Sequence, residues 1–289
     1  MCARTGLLFV LILMIPFAAP AQDAPLAVLM ARQGEVTIQR GGDALIGEFG
    51  MHLDLGDEVR TGDESKADIL FATGQALQLG ANGSLVVQSS GEDSPSNVFA
   101  SADRLLTLRD SRGTSAIGRV RSGGNSAEII AVSPRRAART NERPVFQWSG
   151  GEGELELTIE HAGEVHWKGA VSEDGEFEYP ADAPAFAEGE TYSWRVRTSD
   201  PLAMASAESQ TAFFQTLTSS QEQELESALS DLEAADVATS TRAVLMASVL
   251  FDHGLVEEAI ETIDVAIEGS PDAEGLTAVR ENLRGAYWP

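Results

Sequence analysis

From Ala27 to about Val87 the apolar residues alternate with polar ones: Val36 and Ile38, Leu53 and Leu55, then Ala67, Ile69 and Phe71. That is the period of a strand with one buried face. Ile69, Leu77 and Leu85 are spaced eight apart, as are Phe71, Leu79 and Val87, with Thr73-Gly74 and Ala81-Asn82-Gly83 between them as turns. Three short strands presenting one apolar face are expected here. From about Ile129 to Thr216 the segments EIIAV, PVFQW, ELELTIE, EVHWKG, EFEYP, TYSWRVR and TAFFQT recur between turns. Short strands at this density predict a sandwich. From Ser219 the period turns helical, with a serine cap followed by Glu222 and with Leu225, Leu229 and Leu232 on one face.

Within the first module the stretch LDLGDEVRTGDESKADILF carries two Gly-Asp pairs, Gly56-Asp57 and Gly62-Asp63. At strand ends a glycine supplies positive φ and an aspartate accepts backbone N–H bonds, so these pairs are expected to be turn formers. Catalysis would need a second carboxylate or a histidine opposite Asp57 or Asp63, and calcium binding a D-x-D-x-D-G loop, neither of which the stretch provides.

The segment from Gly34 to Val87 resembles the FecR domain: a strand pair, then L-x-x-G-D-x-V-x-T-G, a small-residue strand and a glycine-closed hairpin. Leu53, Gly56, Asp57, Val59, Thr61, Gly62, Ala67, Phe71, Gly74, Leu79 and Leu85 fall on that pattern. The resemblance implies an all-β extracytoplasmic interaction module, with Gly56, Asp57, Thr61, Gly62 and Gly74 as fold positions. It also implies further strands in Arg104–Gly124, where Arg112-Gly113-Thr114 supplies a G-T pair but alternation is sparse. The family's name-giving members carry an outer-membrane signal to a cytoplasmic sigma factor. Here the apolar leader begins almost at Met1, so no sigma-binding part is expected before it.

AFAEGETYSWRVRT resembles the penultimate strand of an immunoglobulin or fibronectin type III domain, with Tyr192 as a tyrosine corner and Trp148 as the buried strand residue. TSTRAVLMASVLFDHGLVEEAIETIDVAIEGSP resembles one tetratricopeptide repeat: Gly254 at the turn, Ala259 and Ala266 at close-packed positions, Ile263 between them and Pro271 at the end. A last helix is expected from Asp272 to about Tyr287. The expected architecture is therefore multidomain: a signal peptide over 1–21, an all-β FecR-like domain over 26–124, an immunoglobulin/fibronectin III-like β-sandwich over 129–217, and a small tetratricopeptide-like α-helical C-terminal domain over 219–289.

The leader reads as a secretory signal: Arg4, the apolar core LLFVLILMIPFAA, then Ala19-Pro20-Ala21 before Gln22. Its core is short of the roughly 20 residues that a spanning helix needs, so the mature chain is not expected to span a membrane. Cys2, the chain's single cysteine, leaves with the leader, so the exported chain has no disulfides and depends on its core. This points to a bacterial periplasmic or secreted protein. The formal charge of −25 argues against nucleic acid. Arg135, Arg136, Arg139 and Arg143 cluster between the first two modules, where they are expected to solvate a linker or strand edge, the alternative being docking on the acidic surface of a neighbouring module or on an anionic envelope polymer.

No nucleophile elbow, metal-ligand cluster or phosphate loop is present, and His52, His161, His166 and His253 are scattered without partners in sequence. His161 and His166 are read as hairpin surface, and His253 as a carbonyl cap. No catalytic residue, cofactor or metal is expected. A non-enzymatic envelope binding or scaffold protein comes first, its partner an envelope protein or cell-wall polymer and its candidate contacts Trp167, Arg135 and Arg136. Envelope signalling related to FecR-type sigma-factor regulation, or binding of cell-wall polysaccharide or peptidoglycan, is the alternative, and a wall hydrolase ranks last.

Overall fold

The computed structural model describes residues 25–89, 96–108, 129–139, 143–173, 175–199, 208–270 and 275–287. The expected leader and its cleavage site, Arg112-Gly113-Thr114, Pro271 and Asp272 lie outside the described residues.

The chain is a β-rich multidomain protein with a helical part. Its first strands are β1 (Ala27–Gln33), β2 (Val36–Arg40), β3 (Asp43–Ile46), β4 (His52–Leu53), β5 (Glu58–Thr61), β6 (Lys66–Phe71), β7 (Ala76–Leu79) and β8 (Ser84–Val86). They form two antiparallel sheets, ordered β4-β1-β6-β7 and β3-β2-β5-β8. Gly41 and Gly42, both at positive φ, close the two-residue β2–β3 turn, as the twist of a tight hairpin requires. Ala27, Leu29, Val36, Ile38, Leu53, Val59, Ala67, Ile69 and Val87 fill the space between the sheets.

The expected single face of three strands is not what forms. β6 and β7 pair in one sheet, whereas β8 crosses to pair with β5 in the other. Leu85 and Val87 thus reach the same core from the opposite side, while Leu77 is exposed. Leu55, expected to alternate inward with Leu53, stands 68% exposed in the turn before β5.

Helix α1 (Asn97–Thr107) follows, capped by Ser96, whose side chain accepts from the Phe99 N–H. Arg104 to Thr107 therefore belong to a helix, not to the further strands expected there. After it come β9 (Ile130–Ser133), β10 (Ala137–Ala138), β11 (Val145–Ser149), β12 (Leu155–His161), β13 (Glu164–Val171), β14 (Glu176–Glu178), β15 (Thr191–Thr198) and β16 (Ala212–Thr216). These make a five-stranded sheet, β10-β16-β15-β12-β13, facing a three-stranded one, β14-β11-β9. Each of the seven strand-like segments read from the sequence is a strand. The core between these sheets holds Phe146, Trp148, Leu157, Ile159, Tyr192, Trp194 and Phe214.

The helices α2 (Ser219–Ala234), α3 (Thr239–Asp252), α4 (Val256–Gly269) and α5 (Leu276–Tyr287) close the chain. The cap of α2 is Thr218 with Gln221 in a reciprocal capping box, one residue before the expected serine and Glu222. α3 is apolar nearly all round, with Ala243, Val244, Leu245, Ala247, Val249 and Leu250 buried, as a helix enclosed by neighbours must be.

What encloses it ties the molecule together. Val28, Met30 and Leu70, on the outer face of the first sheet, share one core with Phe99, Ala102 and Leu105 of α1 and with Leu225, Leu245, Val249, Ile263, Val279 and Leu283 of the later helices. The β1–β6 pair is thus buried on both faces, and the first module and the helices form three layers: sheet, sheet, helices. Leu70→Ala removes about 2–5 kcal/mol, as truncation of a buried leucine does. We predict that the helical circular-dichroism signal of this variant melts at a lower urea concentration although Leu70 lies in a strand. An unchanged helical midpoint would mean that the layers unfold independently.

Candidate functional site

Asp57 is 2% exposed at the turn into β5. Its carboxylate accepts from Arg40 Nε at 3.0 Å and Arg40 Nη2 at 2.5 Å, and from the Asp54 N–H at 2.8 Å. The hydrogen bond to Asp57 is the main reason that the Arg40 guanidinium holds its proton more tightly than usual. Arg40 also donates to the His52 carbonyl at 2.7 Å, which fastens β2 to β4 across the two sheets. Both oxygens of Asp57 accept at least one hydrogen bond, as in a buried structural carboxylate.

The other fold positions serve turns in different ways. Gly56 and Gly74 both sit at φ +86°, and a Cβ on Gly74 would lie 2.6 Å from Ser96 Oγ, the cap of α1. The buried Thr61 donates to the Gly80 carbonyl at 2.5 Å and accepts from the Gly83 N–H at 2.8 Å, holding the β7–β8 turn. Gly62 is not among the positive-φ residues; Glu64, at φ 51°, takes that conformation instead. A side chain on Gly62 would press on Glu35 at 3.3 Å, so close approach explains the glycine. Asp63 is exposed and accepts from the Asn82 side chain at 3.0 Å, not from a backbone N–H.

Asp68 carries more of the structure than either Gly-Asp aspartate. It is 3% exposed on the helical face of β6. Its Oδ2 accepts from Thr241 Oγ1 at 2.6 Å and from the Ala238 N–H at 3.1 Å, and its Oδ1 from Gln78 Nε2 at 3.1 Å. Ala238 is the cap position of α3 and has no side-chain bond of its own, so a strand aspartate performs the reach-back half of a capping box. The sequence signal for it is a lone charge inside the apolar run of KADILF.

The arginine cluster joins modules. Arg136 donates to the Ala286 carbonyl at 2.8 Å, at the end of α5, and stacks over Phe251 at 5.6 Å. Arg139 grips Glu258 of α4 with Nε and Nη2 at 3.0 and 2.9 Å. Arg135 turns back onto the Ala131 carbonyl at 2.7 Å. Glu188 also joins the second module to α2, accepting from the Ser219 N–H at 3.0 Å. Within the first body, Asp252 pairs with Ser101 and Arg104 of α1.

The candidate contact Trp167 is half-buried, stacked on Phe177 with centroids 5.1 Å apart. His52 and His253 stand apart from the other histidines, whereas His161 and His166 both pack on Tyr192. His52 meets Asp103 at 2.6 Å, and His253 Nδ1 lies 2.9 Å from the Val249 carbonyl at the end of α3. His161 stacks on Tyr192. His166, expected at a hairpin surface, packs instead on Phe186 at 5.0 Å, with Tyr179 and Tyr192 beside it. Burial lowers its pKa, with His161 adding to the effect, and burial raises the Tyr179 hydroxyl to about 12. Among the described residues no three His, Cys, Asp or Glu side chains converge on a metal-sized site, and no described helix is long and apolar enough to cross a membrane.

No family model matches this sequence, and no curated protein does. One solved structure, a cell surface anchoring domain, aligns over 26% of this chain and 99% of its own at 20% identity and a TM-score of 0.23. A likeness that low bears on neither fold nor function.

A histidine whose folded pKa lies below its unfolded value binds protons more readily unfolded, so stability is full above the unfolded pKa and falls as pH drops through it. Acidification below the ordinary histidine pKa of about 6.5 should therefore weaken the second module. His166→Gln should lose less stability than the wild type between neutral and mildly acid pH in matched urea titrations. Equal losses would exclude His166 as the cause.

Proposed function

We propose that the chain is a non-enzymatic, exported binding or scaffold protein of the cell envelope, built on a FecR-like domain. One observation carries this reading: the charged groups that would be the raw material of a site are consumed in joining parts. Asp57 is bonded by Arg40 and a backbone N–H, Asp68 by three donors, and Arg136 and Arg139 by groups of the helical layer. A catalytic carboxylate or cation needs a vacancy for substrate.

The finer fold assignments support the same reading. Of the L-x-x-G-D-x-V-x-T-G residues, Gly56, Asp57 and Gly62 stand beside strand ends and Leu53, Val59 and Thr61 in β4 and β5 of the first double sheet, in keeping with a FecR-like domain. The order β14-β11-β9 against β16-β15-β12-β13 is like that of a fibronectin III-like sandwich. The Tyr192 hydroxyl, taking the Ala187 N–H at 2.8 Å, resembles a tyrosine corner. Gly254 at φ +81° between α3 and α4, with Ala259, Ile263 and Ala266 buried, suits a tetratricopeptide-like pair.

Expressed with its leader in a bacterial host that has a periplasm, the chain should be recovered from the periplasmic or envelope fraction with an intact mass that begins at Gln22. A membrane-held species retaining Met1 would contradict export. Release of soluble fragments from isolated peptidoglycan by the purified chain would contradict the non-enzymatic reading.

A further inference from the structure

The helical layer has two sides. Its inner side is taken by α1 and by the first sheet through Val28, Met30 and Leu70. On the outer side α2 and α4 flank α3 and leave an open groove of about 410 Å³. Met246 and Leu250 of α3 form its floor, Leu229 of α2 one wall, and Thr262 and Val265 of α4 the other. Val265 is 63% exposed, so the groove presents an apolar side chain to solvent.

The walls are acidic in a regular way. Residues three and four apart share a helix face, so Leu229 is bracketed by Glu226 and Glu233, and Val265 by Glu261 and Glu268. All four glutamates are exposed. The cations nearby are already engaged: Arg139 on Glu258 at one end, and Arg242, one turn before Met246, on the Ala235 carbonyl at 2.8 Å. An apolar strip between two acidic rims is complementary to a helix with an apolar stripe and basic flanks. A second copy fits badly, because each chain carries a formal charge of −25 and would bring like charge to the rims.

We propose that the groove between α2 and α4 binds a basic amphipathic helix of a partner protein. This rests on the binding or scaffold reading and adds to it the place of contact and the chemistry of the partner. The partner's apolar side chains at helical spacing enter over Met246 and Val265, and its Lys or Arg side chains meet Glu226, Glu233, Glu261 and Glu268.

The probe is a labelled Leu/Lys peptide with leucine at helical i, i+3, i+4 and i+7 spacing, titrated with the mature chain by fluorescence anisotropy at moderate salt. A Ser/Lys peptide of equal charge is the comparison. Val265→Lys puts a charge at an exposed position, Val265→Ser removes the apolar anchor without changing charge, and Glu164→Lys reverses a charge on β13 of the second module. Circular dichroism checks that each variant is folded. Loss of a central anchor costs about tenfold in affinity. The groove is supported if Val265→Lys weakens the Leu/Lys peptide by about that much, Val265→Ser weakens it measurably, Glu164→Lys leaves it alone, and the Ser/Lys peptide binds poorly throughout. It is overturned if Glu164→Lys costs as much as Val265→Lys, which would mean diffuse attraction to an acidic protein, or if both Val265 variants bind as the wild type does. In that event a chain still exported and held in the envelope would leave the scaffold reading standing and remove the groove alone.

Discussion

The fold turns on one constraint: the β1–β6 pair has two apolar faces, and each needs cover. Leu29 and Ile69 point into the space between the sheets, Val28, Met30 and Leu70 the other way. A two-sheet sandwich leaves the second set in water, at about 1.5–3 kcal/mol for each large side chain exposed. The helices remove that cost, and in return gain a platform that short helices lack by themselves, since isolated helices of their length are marginal in water. The first module and the helical layer are therefore expected to be stable together and weak apart.

Asp68 fixes how the two meet. Placing a carboxylate in that apolar interface is unfavourable unless its oxygens are fully bonded, and the bonds available are the cap N–H of α3, the Thr241 hydroxyl and Gln78. One registration of helix on sheet satisfies it, so the group specifies orientation at a cost in raw burial energy. The second sandwich joins the helices through Arg136 on the end of α5, Arg139 on Glu258 and Glu188 on Ser219, and through the buried Ala137 and Leu217, which enter the helical core. The exposed contacts among these are weak and screened by salt, whereas Arg139, whose side chain is 11% exposed, is screened less.

Much of this was legible in the sequence because period and turn chemistry are local. The seven strands of the second sandwich and the turn at Gly56-Asp57 follow from period and turn chemistry, and the resemblance to a tetratricopeptide repeat points to the Gly254 turn with Ala259, Ile263 and Ala266 behind it. What escaped is nonlocal. The eight-residue repeat marks three strands but cannot say that β8 crosses to the other sheet. KADILF reads as an alternating strand with Ile69 inward, and nothing nearby tells that Leu70 and Asp68 meet helices that begin 170 residues later at Ala238. Arg136 and Arg139 read from the sequence as solvating a linker or, alternatively, docking, and their acceptors, the end of α5 and Glu258, come from folding. The apolar groove was illegible because Leu229, Met246 and Val265 lie on three different helices, each unremarkable by itself.

Native-state hydrogen exchange on the mature chain bears most directly on the claim that the first module and the helices are one cooperative body. The account predicts that the slowest amides of β6, such as Ile69 and Leu70, and those of α3, such as Leu245 and Val249, open with the same free energy and the same dependence on denaturant. Helical amides that exchange through a lower-energy opening while β6 stays protected would contradict it.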